Sequence, residues 1–307
     1  VDINRANIET LMQEYQVTFT DAFNAAGPDA ILANIAMVMQ SSGSAVVHHW
    51  LNQIPNMREW VGDRVVKNIE SNSLTVANKL YEATIEIPRV DIEDDNQGIY
   101  TPLVGLMGRN AALYPDTLCA TALVTNDNWG GDEASFFSAS TRTLDGTNYI
   151  SNYVTDALSE TTFETAYETM AGYIGQDGRA LNVRPTALLF GPKLRDTAFD
   201  ILQNDFRGIV AADASSYVAG RNRNQGLVTP IMSHELVGTY DDYWFLLGEI
   251  GGIRGVAYQQ RMPAEFQRAR FMDDSDFVFE TDKYQLGARS RGAAFKTLPF
   301  LVYGGYV

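Results

Sequence analysis

Cysteine occurs once in the 307 residues, as Cys119, and histidine three times, as His48, His49 and His234. One thiol excludes an internal disulfide framework, cannot by itself build a thiolate metal site, and suits a reducing compartment. His48 and His49 are adjacent, so on a strand they point to opposite faces and cannot share one ion. No metal and no cofactor is therefore expected. Apolar runs are short: no window holds 18 apolar residues in succession, and the opening Val-Asp-Ile-Asn-Arg lacks the basic stretch and apolar core of a secretory signal. Neither a membrane span nor secretion is expected. Basic residues are outnumbered, 23 against 38 acidic, giving a net charge of −15 and a pI near 4.6. Bulk attraction to phosphate backbones is disfavoured at that balance.

Motifs for chemistry are missing too. There is no G-x-S-x-G, no H-E-x-x-H and no Walker lysine motif, and the Gly-Glu-Ile-Gly-Gly string at 248–252 lacks the strand-glycine-helix setting of a dinucleotide fingerprint. Carboxylate clusters at 91–95, 241–242 and 273–276 read as helix N-terminal charge and solvated turns. Cys119 reads as core. A cytoplasmic α/β enzyme is retained as a distant alternative, with no catalytic constellation to support it.

The remaining composition, 45% hydrophobic and 20% charged, is that of an ordered chain large enough for one big domain or two smaller ones. Charge is unevenly placed. Segment 91–260 carries 22 acidic and 10 basic residues, whereas 56–90 and 261–291 are neutral, with five and six of each sign. Arginine supplies 18 of the 23 basic residues, and its planar fork suits carboxylate contacts across interfaces. The two neutral, charge-dense stretches are candidate contact surfaces between copies, the bland alternative being solvated mixed-charge surface.

Along the chain, Ile8, Leu11, Met12, Tyr15 and Phe19 recur at helical spacing before Gly27-Pro28, so a helix needing a partner face is expected on another segment or another copy. Residues 31–47 read as arm or linker. From 57 to 90 a long hairpin is expected, with its tip at the Ser-Asn-Ser of 71–73, and such a ribbon is marginal alone in water. Thr101-Pro102 reads as the start of a long helix to about 125, with Leu103, Leu106, Met107, Ala111, Tyr114 and Leu118 as its apolar stripe and Pro115 as a kink. Residues 126–152 read as a polar separator, and 161–164 as a capping box. A strand at 186–190 is followed by a helix opened by Gly191-Pro192. A loop is expected over 207–226, then strands at 236–240, 243–247, 256–260 and 277–286.

This order of parts resembles the HK-97-like fold of tailed-phage major capsid proteins. More closely, Trp60-Val-Gly-Asp-Arg64, Val76-Ala-Asn-Lys79, Glu82-Ala-Thr-Ile-Glu-Ile-Pro-Arg89 and Asp94-Asp-Asn-Gln-Gly-Ile-Tyr100 are similar to the major head subunits of Mu-like phages. The resemblance implies an α+β capsid fold with an N-terminal arm (1–55), an extended hairpin loop (56–90), a peripheral domain with a long spine helix (91–155 and 250–291), and an axial domain (156–249 and 292–307). It implies a subunit that self-assembles as hexamers and pentamers into an icosahedral virion shell in the bacterial cytoplasm. Implied partners are a scaffold, a portal, decoration proteins and enclosed double-stranded DNA bound without sequence specificity, with no membrane. An encapsulin-like cargo shell is the alternative within the same fold. The subunit-contact candidates are Arg58, Arg64, Lys67, Lys79 and Arg89 in the first neutral stretch and Arg261, Arg268, Arg270, Arg289 and Arg291 in the second. The second stretch is expected where capsomers meet.

Overall fold

The computed structural model describes residues 5–51, 71–94, 97–129, 134–140, 142–143, 149–175, 178–210, 217–270 and 276–305. It opens with α1 (Arg5–Ala26), a short 3-10 turn at Gly27-Pro28-Asp29, and α2 (Leu32–Ile35). Next come β1 (Ala36–Gln40), β2 (Ala45–Leu51), β3 (Ser71–Ala77), β4 (Lys79–Pro88) and α3 (Arg89–Glu93). The longest helix is α4 (Gln97–Val124), and the strand pair β5 (Arg142–Thr143) and β6 (Tyr149–Ile150) follows it. Then come β7 (Tyr153–Val154), α5 (Glu160–Ala171), β8 (Arg184–Phe190), α6 (Arg195–Leu202), β9 (Phe206–Val210) and β10 (Tyr217–Arg221). The chain finishes with β11 (Thr229–Met232), β12 (Trp244–Ile250), β13 (Ile253–Arg254), β14 (Val256–Arg270), α7 (Asp276–Thr281), β15 (Lys283–Lys296) and β16 (Val302–Gly305).

Two sheets organise these elements. One is four-stranded in the order β1-β14-β15-β4, with β1 parallel to β14 and the other pairs antiparallel. The other runs β11-β8-β12-β16-β7, and its central strands β8 and β12 bury Leu188, Leu189, Phe190, Trp244, Phe245 and Leu246 completely. Near-continuous apolar runs of this kind fit strands covered on both faces. At its heart Gly305 lies against Trp244, where an added Cβ would come within 2.0 Å of the indole.

The core falls into two clusters joined by α4, and the larger draws on both sheets, taking Ala36, Val256, Ala257, Tyr258 and Phe295 from the four-stranded one. In the first half of α4 Val104 and Met107 pack with Ile8, Leu11, Met12, Tyr15 and Phe19 of α1 and with Ile87, Tyr284 and Leu286 of the four-stranded sheet. In its second half Cys119 and Leu123 enter the larger core. At 1.5 Å per residue its 28 residues span about 42 Å, so one element fixes two packing units. Gly108 makes this possible, since a Cβ there would meet the Phe19 carbonyl oxygen at 2.4 Å. The N-terminal helix thus finds its partner face within its own chain.

Several sequence expectations change. Residues 71–73 lie in β3, opposite 49–51 of β2, so they are not a hairpin tip; the connection between the two paired strands runs through 52–70, outside the described residues. β4 belongs to the four-stranded sheet, in register with β15, because its alternating Ile85 and Ile87 have a core to cover there. Residues 36–40, read as linker, are a sheet strand. The spine helix starts one turn before Thr101. The capping box is Ser159 with Thr162: the Thr162 N–H donates to Ser159 Oγ at 3.2 Å and the Ser159 N–H to Thr162 Oγ1 at 2.8 Å. The polar separator carries Trp129, Phe136 and Phe137 into the core, anchored by Asn152, whose amide donates to Phe136 and Pro299 carbonyls at 3.1 and 2.9 Å. Residues 206–221 include an antiparallel ribbon, β9 with β10, rather than only a loop. Residues 238–240 form a 3-10 turn, and 276–281 a helix, in place of the expected strands.

Candidate assembly surfaces

The face of the β14-β15-β4 ribbon opposite its buried core carries Arg289 and Arg291 of the predicted contact residues. Alternation along β15 sends Tyr284, Leu286 and Ala288 inward and Lys283, Gln285 and Arg289 outward. Arg289 stands in register between Glu82 on β4 and Glu265 on β14, a row of alternating sign. Further along the same face, Lys283 donates to Glu86 at 2.9 Å and the Gln285 amide donates to its other oxygen at 2.8 Å. These hydrogen bonds, Lys283's first, and then the lysine's charge hold the Glu86 carboxyl below its ordinary value.

The structure brings four of the ten predicted residues to one end of the ribbon, on two faces, and separates others. Lys79 begins β4 opposite Gly292, Arg291 stands opposite Leu80 and Met262, and exposed Arg261 sits at the register shift between Gln260 and Met262. Arg289 and Arg291 share the outer face of that end of the ribbon, whereas Lys79 lies on the opposite face, toward α4. Arg89 lies at the other end, pairing within the chain to Glu93 at 3.2 Å. Arg268 and Arg270 occupy β14 opposite Leu286 and Gln285. Arg58, Arg64 and Lys67 lie outside the described residues.

Beside the ribbon runs a groove of about 530 Å³ between α4 and β4, lined by Tyr81, Ile85, Leu103, Leu106, Tyr114 and Arg289 among others. Leu103 and Leu106 are 43% and 54% exposed, so they are not core residues of the spine stripe. The helix buries Met107 of that stripe together with Val104 and leaves Leu103 and Leu106 outward. Ile99, Leu103 and Leu106, spaced four and three apart, form an exposed apolar stripe on α4. The spacing was visible in the sequence; which of two apolar stripes met the core was not.

The base of the β2-β3 ribbon is fastened to the sheet by buried polar groups. His48 Nε2 lies 2.7 Å from Gln259 Oε1, and the Gln259 amide donates to Asn78 Oδ1 at 2.8 Å and to the Val76 carbonyl at 3.3 Å. The His48 ring stacks on Phe295 at 5.0 Å. His48 is buried and His49 exposed, on opposite faces of β2. Among the described residues no group of three or more His, Cys, Asp or Glu side chains could hold a metal ion, and no helix is long and apolar enough to cross a membrane. Burial pushes the Cys119 thiol far above its ordinary value, which leaves it a poor nucleophile.

A family model described as Mu-like prophage major head subunit gpT matches residues 8–163, 147–217 and 217–305. The chain belongs to the Mu-like prophage major head subunit family. Its relatives include the major capsid protein of Escherichia phage Mu, 39% identical over 116 residues, a match spanning 38% of this chain and 37% of the Mu protein. The FluMu prophage major head subunit of Haemophilus influenzae is 28% identical over 227 residues, 72% of this chain and 71% of that one. In three dimensions this head subunit is similar to a chain in the procapsid of bacteriophage JBD30, with a TM-score of 0.56 and 24% identity over 98% of this chain and 75% of that one. Its architecture is the HK-97-like phage capsid fold. In these terms α4 is the spine of the head subunit, and the ribbon and groove lie on its flank.

Proposed function

We propose that this head subunit is the shell-building protein of a tailed-phage head, assembling with copies of itself as hexamers and pentamers around packaged double-stranded DNA. The observation that carries the reading is the family match running from residue 8 to 305 on a fold shared with a phage procapsid chain. In this reading residues 1–55, 56–90, 91–155 with 250–291, and 156–249 with 292–307 serve as arm, extended loop, peripheral and axial parts. The role is structural, without catalysis. Scaffold, portal and decoration proteins are its partners, and assembly takes place in the host cytoplasm before the subunit resides in the virion.

Charge supports the same reading. A strongly acidic subunit leaves enclosed DNA mobile, while Arg261, Arg289 and Arg291 at one end of the ribbon offer complementary contacts to acidic surfaces of neighbours. Negative-stain microscopy of the chain expressed with its head-assembly partners tests it. Closed shells or capsomers are the expected result, and a small monodisperse globule overturns it. An encapsulin-like cargo shell would share the fold; encapsulated protein in place of DNA in purified particles would favour it.

A further inference from the structure

Gln259 is completely buried on β14, the strand that pairs with β1 on one side and β15 on the other. Its register partner on β15 is Ala293, and alternation puts Phe295, the ring on which His48 stacks, on the same face. A buried amide has one acceptor oxygen and two N–H donors to satisfy. All of them go to the β2-β3 ribbon or its root: Oε1 accepts from His48 Nε2 on β2, and the N–H groups reach the Val76 carbonyl on β3 and Asn78 Oδ1 just past it. Asn78 extends the network. Its own amide donates to Ser41 Oγ and the Gly43 carbonyl, both at 2.8 Å, and its backbone N–H donates to the Ser44 carbonyl at 2.8 Å.

One side chain of the sheet thus holds both strands of the ribbon and, through Asn78, the segments that join it to β1 and β4. The ribbon's other attachments are weak guides to direction. Among the described residues β2 and β3 pair only with each other, and Val47, His49, Ser73 and Thr75 are exposed. Leu74 and Val76 do pack on the larger core, but apolar contact is non-directional, whereas hydrogen bonds weaken steeply as they bend. We infer that Gln259 is the positioning residue of the ribbon: its amide sets the direction in which β2 and β3 leave the sheet, and with it the place where a neighbouring copy meets them. The residue type suits the task, because a glutamate lacks the two donors at neutral pH and an asparagine is one methylene shorter. Direction is a property of the single chain; its consequence for neighbours rests on the proposed shell-building role.

Spin-label distances and particle shape test it together. On the full-length free subunit, nitroxides at Ser73→Cys on the ribbon and Asp196→Cys on α6, both exposed positions, should report one narrow distance, with buried Cys119 unlabelled. Gln259→Leu should replace that peak by a broad distribution. Gly108→Val weakens the chain at the α1-α4 contact and should keep the peak narrow, which separates positioning from stability. Asn78→Ala cuts the second link of the network and should give the same broadening if Gln259→Leu does not fold. Expressed with the head-assembly partners, the wild type should form shells of one diameter, whereas Gln259→Leu should lose that uniformity to mixed sizes or open sheets. A narrow distance in the folded root variant, or equal broadening in Gly108→Val, overturns the positioning role. Uniform shells from a variant with a broadened distance overturn its link to assembly. A wild-type chain that forms no particles overturns the shell-building role, and the distances still decide on Gln259.

Discussion

Asp116 and Arg254 hold opposite ends of the same short helix, α2. The Asp116 carboxylate, on α4, accepts the Ile31 N–H at 3.0 Å; the Arg254 guanidinium, on β13, donates to the carbonyls of Ala33 and of Ala36, the latter at 3.1 Å. A four-residue helix has no stability of its own, so these two side chains fix the path by which the chain passes from α1 into β1.

The strap gives a first prediction. Arg254→Ala should remove both carbonyl contacts, destabilise the subunit by about 1–3 kcal/mol, and raise amide exchange over residues 32–40. Asp116 acts differently. Burial is the main cause that raises its carboxyl above the ordinary 3.8, and the nearby Glu235 adds to it, against the backbone hydrogen bonds of Ile31 and Leu32. The folded chain therefore holds this proton more tightly than the unfolded chain, and the residue's contribution to stability declines as pH rises from that ordinary value through the raised one. Asp116→Asn should flatten that part of the stability profile, measured by urea unfolding from acid to neutral pH; an unchanged slope counts against the assignment.

Gly108 offers a second test. Gly108→Val places side-chain atoms against the Phe19 backbone, so α1 must move away, at a cost of about 1–3 kcal/mol. Limited proteolysis should then cut within residues 5–26 faster than in the wild type. Deleting residues 1–30 should destabilise the free subunit itself, because Met12, Tyr15 and Phe19 are buried against their own chain.

A third concerns the root of the β2-β3 ribbon. Gln259 is fully buried and serves His48, Val76 and Asn78 at once. Gln259→Leu keeps the volume and removes those bonds, so each buried group left unpaired costs about 1–3 kcal/mol. Denaturant unfolding should show a lowered midpoint with its slope unchanged, and a midpoint within error of wild type would contradict the role given to Gln259.

Lys296 supplies a pH dependence at the alkaline end. It is buried, donates to the Ala122 carbonyl at 2.6 Å and also to the Thr125 carbonyl, and lies 5.2 Å from the Phe136 ring centre. Burial, opposed by the charge of Asp127, pushes it from the ordinary 10.5 down to about 8. The unfolded chain therefore binds more protons than the folded one between those two values, and stability should rise as pH increases through that window. Lys296→Met should remove the rise. Thermal unfolding of both proteins across the window checks it, and parallel profiles would refute it.

Local pattern and end chemistry determined much of this protein from the sequence alone. The α1 stripe, the long helix carrying two prolines, the 186–190 strand with its Pro192 turn, the inert cysteine and the opposed histidines are all nearest-neighbour matters of period, cap and composition. The family strings between Trp60 and Tyr100 were readable for the same reason. What the sequence left open depended on partners distant along the chain. Residues 71–73 look like a turn until β2 pairs with them, and Leu103 and Leu106 look like core beside Met107 until α1 covers Met107 with Val104 and leaves them out. Trp129 and Phe136 are core only because Asn152 and the 297–299 carbonyls fix their loop. The arginines of 261–291 were legible as a charge-dense stretch, but only strand register decides that Arg289 stands between two glutamates while Arg89 lies at the other end. Side-chain period is local. Which face is buried and which charges meet is set by contacts that exist only once the chain has closed on itself.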